Sequence, residues 1–369
     1  MKVAVIGVGG SGSAALRCLA KAGHEATGYE QFGLGHALGS SHGHSRLIRH
    51  AYPDAFHTRL MARAYPLWDE LEQEHGDELF VRCGGITFGP AGDQTLESTR
   101  LELLAAGIDH EILSRDETSD RFPAIDIGAG ATAIYQRDSG FLRASRCVLA
   151  QVAIATAHGA TIREHSPVLR IEEKAGRMFV STAGETESFD AVIVTAGPWL
   201  GKVLAPLRLP LRTALRQVVY HTIARRAEAF TPDRLPVWIE HPADFYGFPA
   251  DGEVDGIKIA SHNAGTDFDP GQPDRPLMHE PLHQVIEHAM MRFPDLSSEV
   301  VSSQSCLYTI TPDERFILDF APGSRRLVIC SGCSGHGFKF TILLGEIAAA
   351  MATGSTRDPS PIAWRLDRF

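Results

Sequence analysis

Three glycines and a glutamate near the start of the chain have the types and spacing to hold a phosphorylated cofactor. Gly7, Gly9 and Gly12 stand in the G-x-G-x-x-G pattern directly after the apolar run Val3 to Ile6. That pattern gives a tight turn, a close approach of backbone to a pyrophosphate, and a helix packed against its strand. The helix start at Gly10 and Ser11 offers free N–H groups and a partial positive charge to phosphate oxygens. Glu30 lies 18 positions beyond Gly12, where a carboxylate accepts hydrogen bonds from a ribose diol and repels a 2′-phosphate. The expected ligand is therefore FAD or NAD, not NADP.

Four cations form a second group. Gly39 to Ser45 is a small, polar, turn-forming run leading into Arg46 and Arg49, which share nearly one face if the chain turns helical. A guanidinium presents a planar fork that holds a carboxylate through two hydrogen bonds. Lys258 sits in the strand-like run GIKIA and faces away from its isoleucine neighbours. Lys339 follows SGHGF at a strand-to-helix turn, where a cation opposes the helix dipole and so calls for another reason. The plainer readings are a solvated arginine face and lysines pointing to water. Cys330 and Cys333 form a C-x-x-C, but no second Cys or His pair has zinc spacing, so no metal site is expected.

The elements that must position these residues return to one theme. Residues 2 to 30 read as strand, glycine turn, helix and second strand. Residues 145 to 160 read as an amphipathic helix with Ser145 as cap and Gly159 as stop, followed by a strand near Thr161 to Glu164 and a hairpin around Val168 to Val180. Asp190 to Gly197 is a buried strand ending in small residues, and Leu327 to Ser331 runs through SGCSGHGFK into a last helix. Residues 86–144 and 216–304 instead mix short strand-like runs with charged helical stretches. The expected fold is α/β, with a discontinuous Rossmann-like dinucleotide-binding domain (1–85, 145–215 and 305–369). A substrate domain (86–144 and 216–304) holds a mostly antiparallel sheet. Val237, Trp238 and Phe245 are expected to give the substrate pocket an apolar lining.

Bulk properties fit a soluble enzyme. The 369 residues suit two domains. A net charge of −10 argues against nucleic acid or an anionic membrane as partner. No apolar run reaches the roughly 20 residues of a membrane span, and the N-terminal apolar stretch enters the glycine turn without a cleavage site. A cytoplasmic location is expected, with all six cysteines as thiols.

The chain resembles the monomeric sarcosine oxidase family of FAD-dependent amine oxidases, which includes N-methyltryptophan oxidase and pipecolate oxidase. The resemblance runs nearly end to end and implies that the Rossmann-like domain is an FAD-binding domain of the glutathione reductase type. It rests on the opening fingerprint, GSSHGHSRLIRHAY (39–52), FYGFP and GIKIASH (245–262), CLYTITPDERFILD (306–319) and SGHGFK (334–339). It implies that FAD is held by Gly7, Gly9, Gly10, Ser11, Gly12, Glu30, Gln31 and His36, and by Gly39, Ser40, Ser41, Ser45 and Arg46. Val168, Ala196, Gly197, Trp199, Cys306, Gly335, His336, Gly337, Phe338 and Lys339 complete that set. Ser41 departs from the histidine of some members. The family pattern also implies covalent attachment of the flavin through Cys306.

The same resemblance implies that Arg49 and Lys339 bind the substrate carboxylate and that Lys258 activates O₂. His262 lines the substrate pocket, while Tyr246 and Tyr308 shape it and orient the amine. The implied reaction oxidises a secondary amino acid such as sarcosine to an imine and reduces O₂ to H₂O₂, in a monomer. A flavin dehydrogenase with another acceptor, an NAD-dependent dehydrogenase and a non-catalytic flavoprotein partner are the rival readings. Lys258 speaks against the first and the Cys306 motif against the second.

Overall fold

The structure is a computed structural model that describes residues 1–263, 265–355 and 361–369. Its first sheet has six strands in the order Ile317–Phe320, Leu327–Ser331, Ala191–Val194, Lys2–Ile6, Glu25–Tyr29 and Thr161–Arg163. All neighbours are parallel except the antiparallel edge strand Ile317–Phe320. Side-chain alternation explains why the central strand is apolar throughout. Val3 and Val5 pack towards the helices Gly10–Lys21, Ala144–Ala157 and Thr341–Thr353. Ala4 and Ile6 pack on the other face with Met178, Val180 and Phe189 of a three-stranded antiparallel sheet. A strand buried on both faces has no polar side.

The second large sheet is mostly antiparallel. Among the described residues, nine strands join it, with Arg212–Ile223 next to one edge, between Ile257–Ser261 and the long outer strand Leu296–Ile310. Val237–Glu240 pairs parallel to Gly85–Pro90 and is the exception to the antiparallel pattern. Helix His279–Arg292 covers one face, with Val285 and Ala289 buried against Val219, Ile257 and Ile259. The opposite face carries Val218, Tyr220, Ala260 and Lys258 towards the first sheet. Strands Arg212–Ile223 and Leu296–Ile310 run unbroken through the expected boundaries at 215/216 and 304/305, paired with each other in this sheet on both sides of them.

Two local expectations are corrected. Arg46–Ile48 is a strand paired with Gly140–Leu142, not a helical turn, so Arg46 and Arg49 do not share a helix face. The helix Ala144–Ala157 is preceded by Arg143 without a side-chain cap. Ser145 lies inside it, and its Oγ accepts from the Gly43 N–H at 3.0 Å, tying the helix to the turn before Arg46. No helix among the described residues is long and apolar enough to cross a membrane.

Candidate active site

One cavity of about 900 Å³ runs between the two large sheets, from the glycine turn to Lys258 and Lys339. Every residue expected to bind cofactor or act in catalysis lines it, apart from Gly12. Gly12 sits one layer behind, where an added Cβ would stand 2.0 Å from the Gly7 carbonyl oxygen. Gly7 itself has φ of 93°, with the Thr195 carbonyl 2.7 Å from the position a Cβ would take. Only glycine fits either place.

At this end the walls are backbone. The helix Gly10–Lys21 starts at Gly9 with no side-chain cap, leaving N–H groups directed at the cavity; the Gly10 N–H meets Ser41 Oγ at 3.0 Å. The serine thus props the turn in its own way. Glu30 is buried, and its oxygens accept from the Val8 N–H at 3.0 Å and the Phe32 N–H at 3.1 Å. Burial pushes its carboxyl pKa up, but His36 and these two N–H groups outweigh that and hold it below the usual range. An ionised carboxylate here retains lone pairs for a diol. Gln31, Val168, Ala196, Gly197 and Trp199 continue the wall, with Phe32 packed edge-on to Trp199 at 5.4 Å.

The other end is made of side chains from distant segments. Lys258 alternates with Ile257 and Ile259, which enter the core behind, so its side chain faces the cavity. Its Nζ donates to the Ser45 carbonyl at 2.9 Å and lies 3.3 Å from Ser45 Oγ and 4.8 Å from the Phe248 ring centroid. Arg46 is fixed by the carbonyls of Ser45 (2.9 Å) and Ser40 (3.1 Å). Arg49 lies over the Tyr52 ring at 4.6 Å, and its Nε is buried without a partner. Lys339, in the short turn Phe338–Phe340 ahead of the last helix, is held by Trp68 Nε1 donating to its carbonyl at 2.8 Å.

No carboxylate among the described residues pairs with Arg46, Arg49, Lys258 or Lys339. Burial first, then Arg46, pushes the Lys258 pKa well below its ordinary value; burial and then Arg49 do the same for Lys339. An anion placed among them reverses that cost, because it stabilises the protonated forms. The neighbouring histidines are neutral near pH 7. Burial takes His262 down to about 4 and His42 to about 3, and drives His336 well below its usual value.

The aromatic wall is tight. The Tyr246 and Tyr308 hydroxyls are 3.3 Å apart, His262 is 5.4 Å from the Tyr308 ring, and burial raises the pKa of both phenols. Gly335 has φ of 83°, and a Cβ there would stand 2.0 Å from the Tyr308 ring. Cys306 is buried at the cavity wall opposite Arg216, within electrostatic reach of Lys258 and Arg275.

Of the expected apolar lining, only Phe245 reaches the cavity. Trp238 turns into the core of the antiparallel sheet beside Phe88 and Phe293, and Val237 packs with Val81, Phe141 and Phe248, so Ile239 and His241 line the site instead. Tyr52, Thr195 and Arg216 were not singled out by sequence. Tyr52 lies within the HAY end of a motif already noted, but an aromatic beside two arginines reads as core. Cys330 is a buried and Cys333 a half-buried free thiol; burial pushes Cys333 up to about 12 and Cys330 higher still, which disfavours the thiolate of each.

The residues present fit FAD: bare backbone and a helix start for a pyrophosphate, a buried carboxylate for a ribose, and cations at the far end. Comparison with known proteins gives the same cofactor. The model of the family described as FAD dependent oxidoreductase matches residues 2–351. The chain is 33% identical over 365 residues to monomeric sarcosine oxidase of Streptomyces avermitilis, covering 97% of this chain and 95% of that one. It is 32% identical over 376 residues to N-methyl-L-tryptophan oxidase of Yersinia pestis, covering 99% and 98%. The fold is that of glycine oxidase from Geobacillus kaustophilus, with a TM-score of 0.84 at 21% identity over 100% of this chain and 98% of that one.

Proposed function

The chain belongs to the FAD dependent oxidoreductase family, and from that premise we propose that it oxidises an N-alkyl amino acid such as sarcosine to the imine, with O₂ reduced to H₂O₂. The observation that carries this reading is the group of cavity-lining cations, with Lys258 and Lys339 buried, that meets no carboxylate among the described residues, at one end of a cavity whose other end suits a dinucleotide. Bound FAD supplies the two-electron acceptor for the C–H next to nitrogen and the route of those electrons to O₂.

Arg49 and Lys339 take the substrate carboxylate. The same cations disfavour an ammonium nearby, so the amine binds in its neutral form and no protein base is needed. Tyr246 and Tyr308 orient that nitrogen, while His262, neutral above about pH 4, packs beside it without adding charge. Lys258 supplies positive charge where O₂ gains electrons, an electrostatic contribution fixed in advance by Ser45.

Cys306 is the proposed attachment point of the flavin, a cavity-lining thiol within reach of two cations. Denatured wild-type protein is expected to keep its flavin, and Cys306→Ala to lose it. The proposed division is 1–85, 145–215 and 305–369 for cofactor and 86–144 and 216–304 for substrate. A monomer is the proposed working unit, as the name of the Streptomyces avermitilis relative, monomeric sarcosine oxidase, suggests.

The test is anaerobic bleaching of the protein's flavin absorbance by sarcosine, other N-methyl amino acids, pipecolate, proline and glycated amino acids. Rapid bleaching by at least one member, reversed by air with release of H₂O₂, is the expected result. A yellow protein that none of them bleaches would overturn the assignment.

A further inference from the structure

We infer that Tyr52 is a positioning residue that aims Lys339 at the substrate carboxylate and joins it to Arg49; this rests on the carboxylate role proposed for those two cations. Tyr52 is buried between them. Arg49 lies over its ring at 4.6 Å, and Lys339 Nζ donates to its hydroxyl at 2.8 Å. Lys339 Nζ donates also to the His336 carbonyl at 2.7 Å. An ammonium has three N–H donors, so two are committed to the protein and one is left for a ligand. The direction of that third donor is set by where Tyr52 and the His336 carbonyl hold the other two.

The hydroxyl can accept from Lys339 because its own proton has a destination. His336 Nε2 lies 3.2 Å from the Glu314 carbonyl, which only accepts, so Nε2 carries the hydrogen. In a neutral imidazole Nδ1 is then an acceptor, and it lies 3.3 Å from the Tyr52 hydroxyl. The chain therefore has one polarity: Lys339 donates to Tyr52, Tyr52 to His336 Nδ1, and His336 Nε2 to the Glu314 carbonyl. Arg49 needs no such help, since its donors make no hydrogen bond within the described protein and its plane rests on the Tyr52 ring. One side chain thus sets both cations, the first through its face and the second through its hydroxyl.

Tyr52→Phe keeps the ring beneath Arg49 and removes only the hydroxyl. The experiment is a double-mutant cycle on the flavin-loaded protein with Tyr52→Phe, Lys339→Met and the double variant. Its readout is the dissociation constant of a non-oxidisable thioether acetate, followed by flavin absorbance, alongside the limiting rate of flavin reduction by sarcosine. Tyr52→Phe is expected to weaken thioether acetate binding about tenfold when Lys339 is present and less than about twofold when it is Met. The limiting rate should fall far less than the affinity. His336→Gln, which disturbs the same chain one bond farther out, should weaken binding by a smaller factor that also vanishes with Lys339→Met.

An equal loss in both backgrounds, unchanged binding in Tyr52→Phe, or no binding of the thioether acetate to wild type would each overturn the inference. Because binding is read without turnover, a wild type that binds the acetate but is reduced by no N-alkyl amino acid would sink the proposed reaction and leave the role of Tyr52 standing.

Discussion

At the nucleotide end of the cavity the buried carboxylate of Glu30 is met by the N–H groups of Val8 and Phe32, whereas at the other end the buried Lys339 and Lys258 and the half-buried Arg49 have no carboxylate beside them among the described residues. The first arrangement is electrostatically closed before any ligand arrives. The second is open: isolated buried charge costs several kcal/mol per ion, and the protein leaves that cost to be offset by an anion from outside. The contrast teaches which end recognises shape and which recognises charge. In the proposed reading, backbone N–H groups and glycines select a dinucleotide by close approach, and the unpaired cations select a carboxylate and favour electron transfer to O₂.

Substitutions can break or sharpen this contrast. The largest effect is expected from Arg49→Ala, which should weaken binding of the amino acid by roughly 2–5 kcal/mol with flavin content intact, as read by anaerobic titration; unaltered affinity would move the carboxylate elsewhere. Lys258→Met should slow reoxidation by O₂ by about 10²-fold while leaving anaerobic flavin reduction largely intact, and rapid-mixing oxygen kinetics would separate the two half-reactions. Glu30→Ala strands two N–H groups at the closed end and should cost about 1–3 kcal/mol. It is expected to appear as a lower flavin-to-protein ratio, and a full complement of flavin would show that Glu30 matters less than the glycine turn.

The smallest effect is a pH slope. Lys339 has its pKa depressed in the free site, so the form that binds carboxylate is lost as pH rises through that value. Affinity for a carboxylate ligand should therefore fall on the alkaline side by at most about tenfold per pH unit. Lys339→Met should remove that slope. His262, neutral above about pH 4, should contribute none between pH 6 and 9.

The same contrast explains what was legible in the sequence. The closed end lies within residues 2–30, where strand, turn, helix and acid follow one another, so local pattern suffices. The open end joins Arg49, Lys258, Cys306 and Lys339 from four separated segments, and only resemblance brought them together. Local reasoning failed where a distant partner decides. Arg46 and Arg49 would share a face only if the chain turned helical, and pairing with Gly140–Leu142 makes Arg46–Ile48 a strand. Ser145 read as a helix cap, but it serves the Gly43 turn. Trp238 read as pocket lining, while the pleat of Val237–Glu240 turns it into the core beneath helix His279–Arg292. Tyr52 gave no signal by type or spacing, because its role appears only once Lys339 and His336 are folded against it.

The most direct test of the open end is anaerobic flavin reduction by sarcosine set against its methyl ester, which keeps the N-methyl amine and removes the negative charge. The cation pair predicts rapid reduction by sarcosine and a loss of at least about 30-fold in second-order rate for the ester, the lower edge of what breaking a buried charge contact costs. Equal rates for the two would contradict the assignment of Arg49 and Lys339 to the carboxylate.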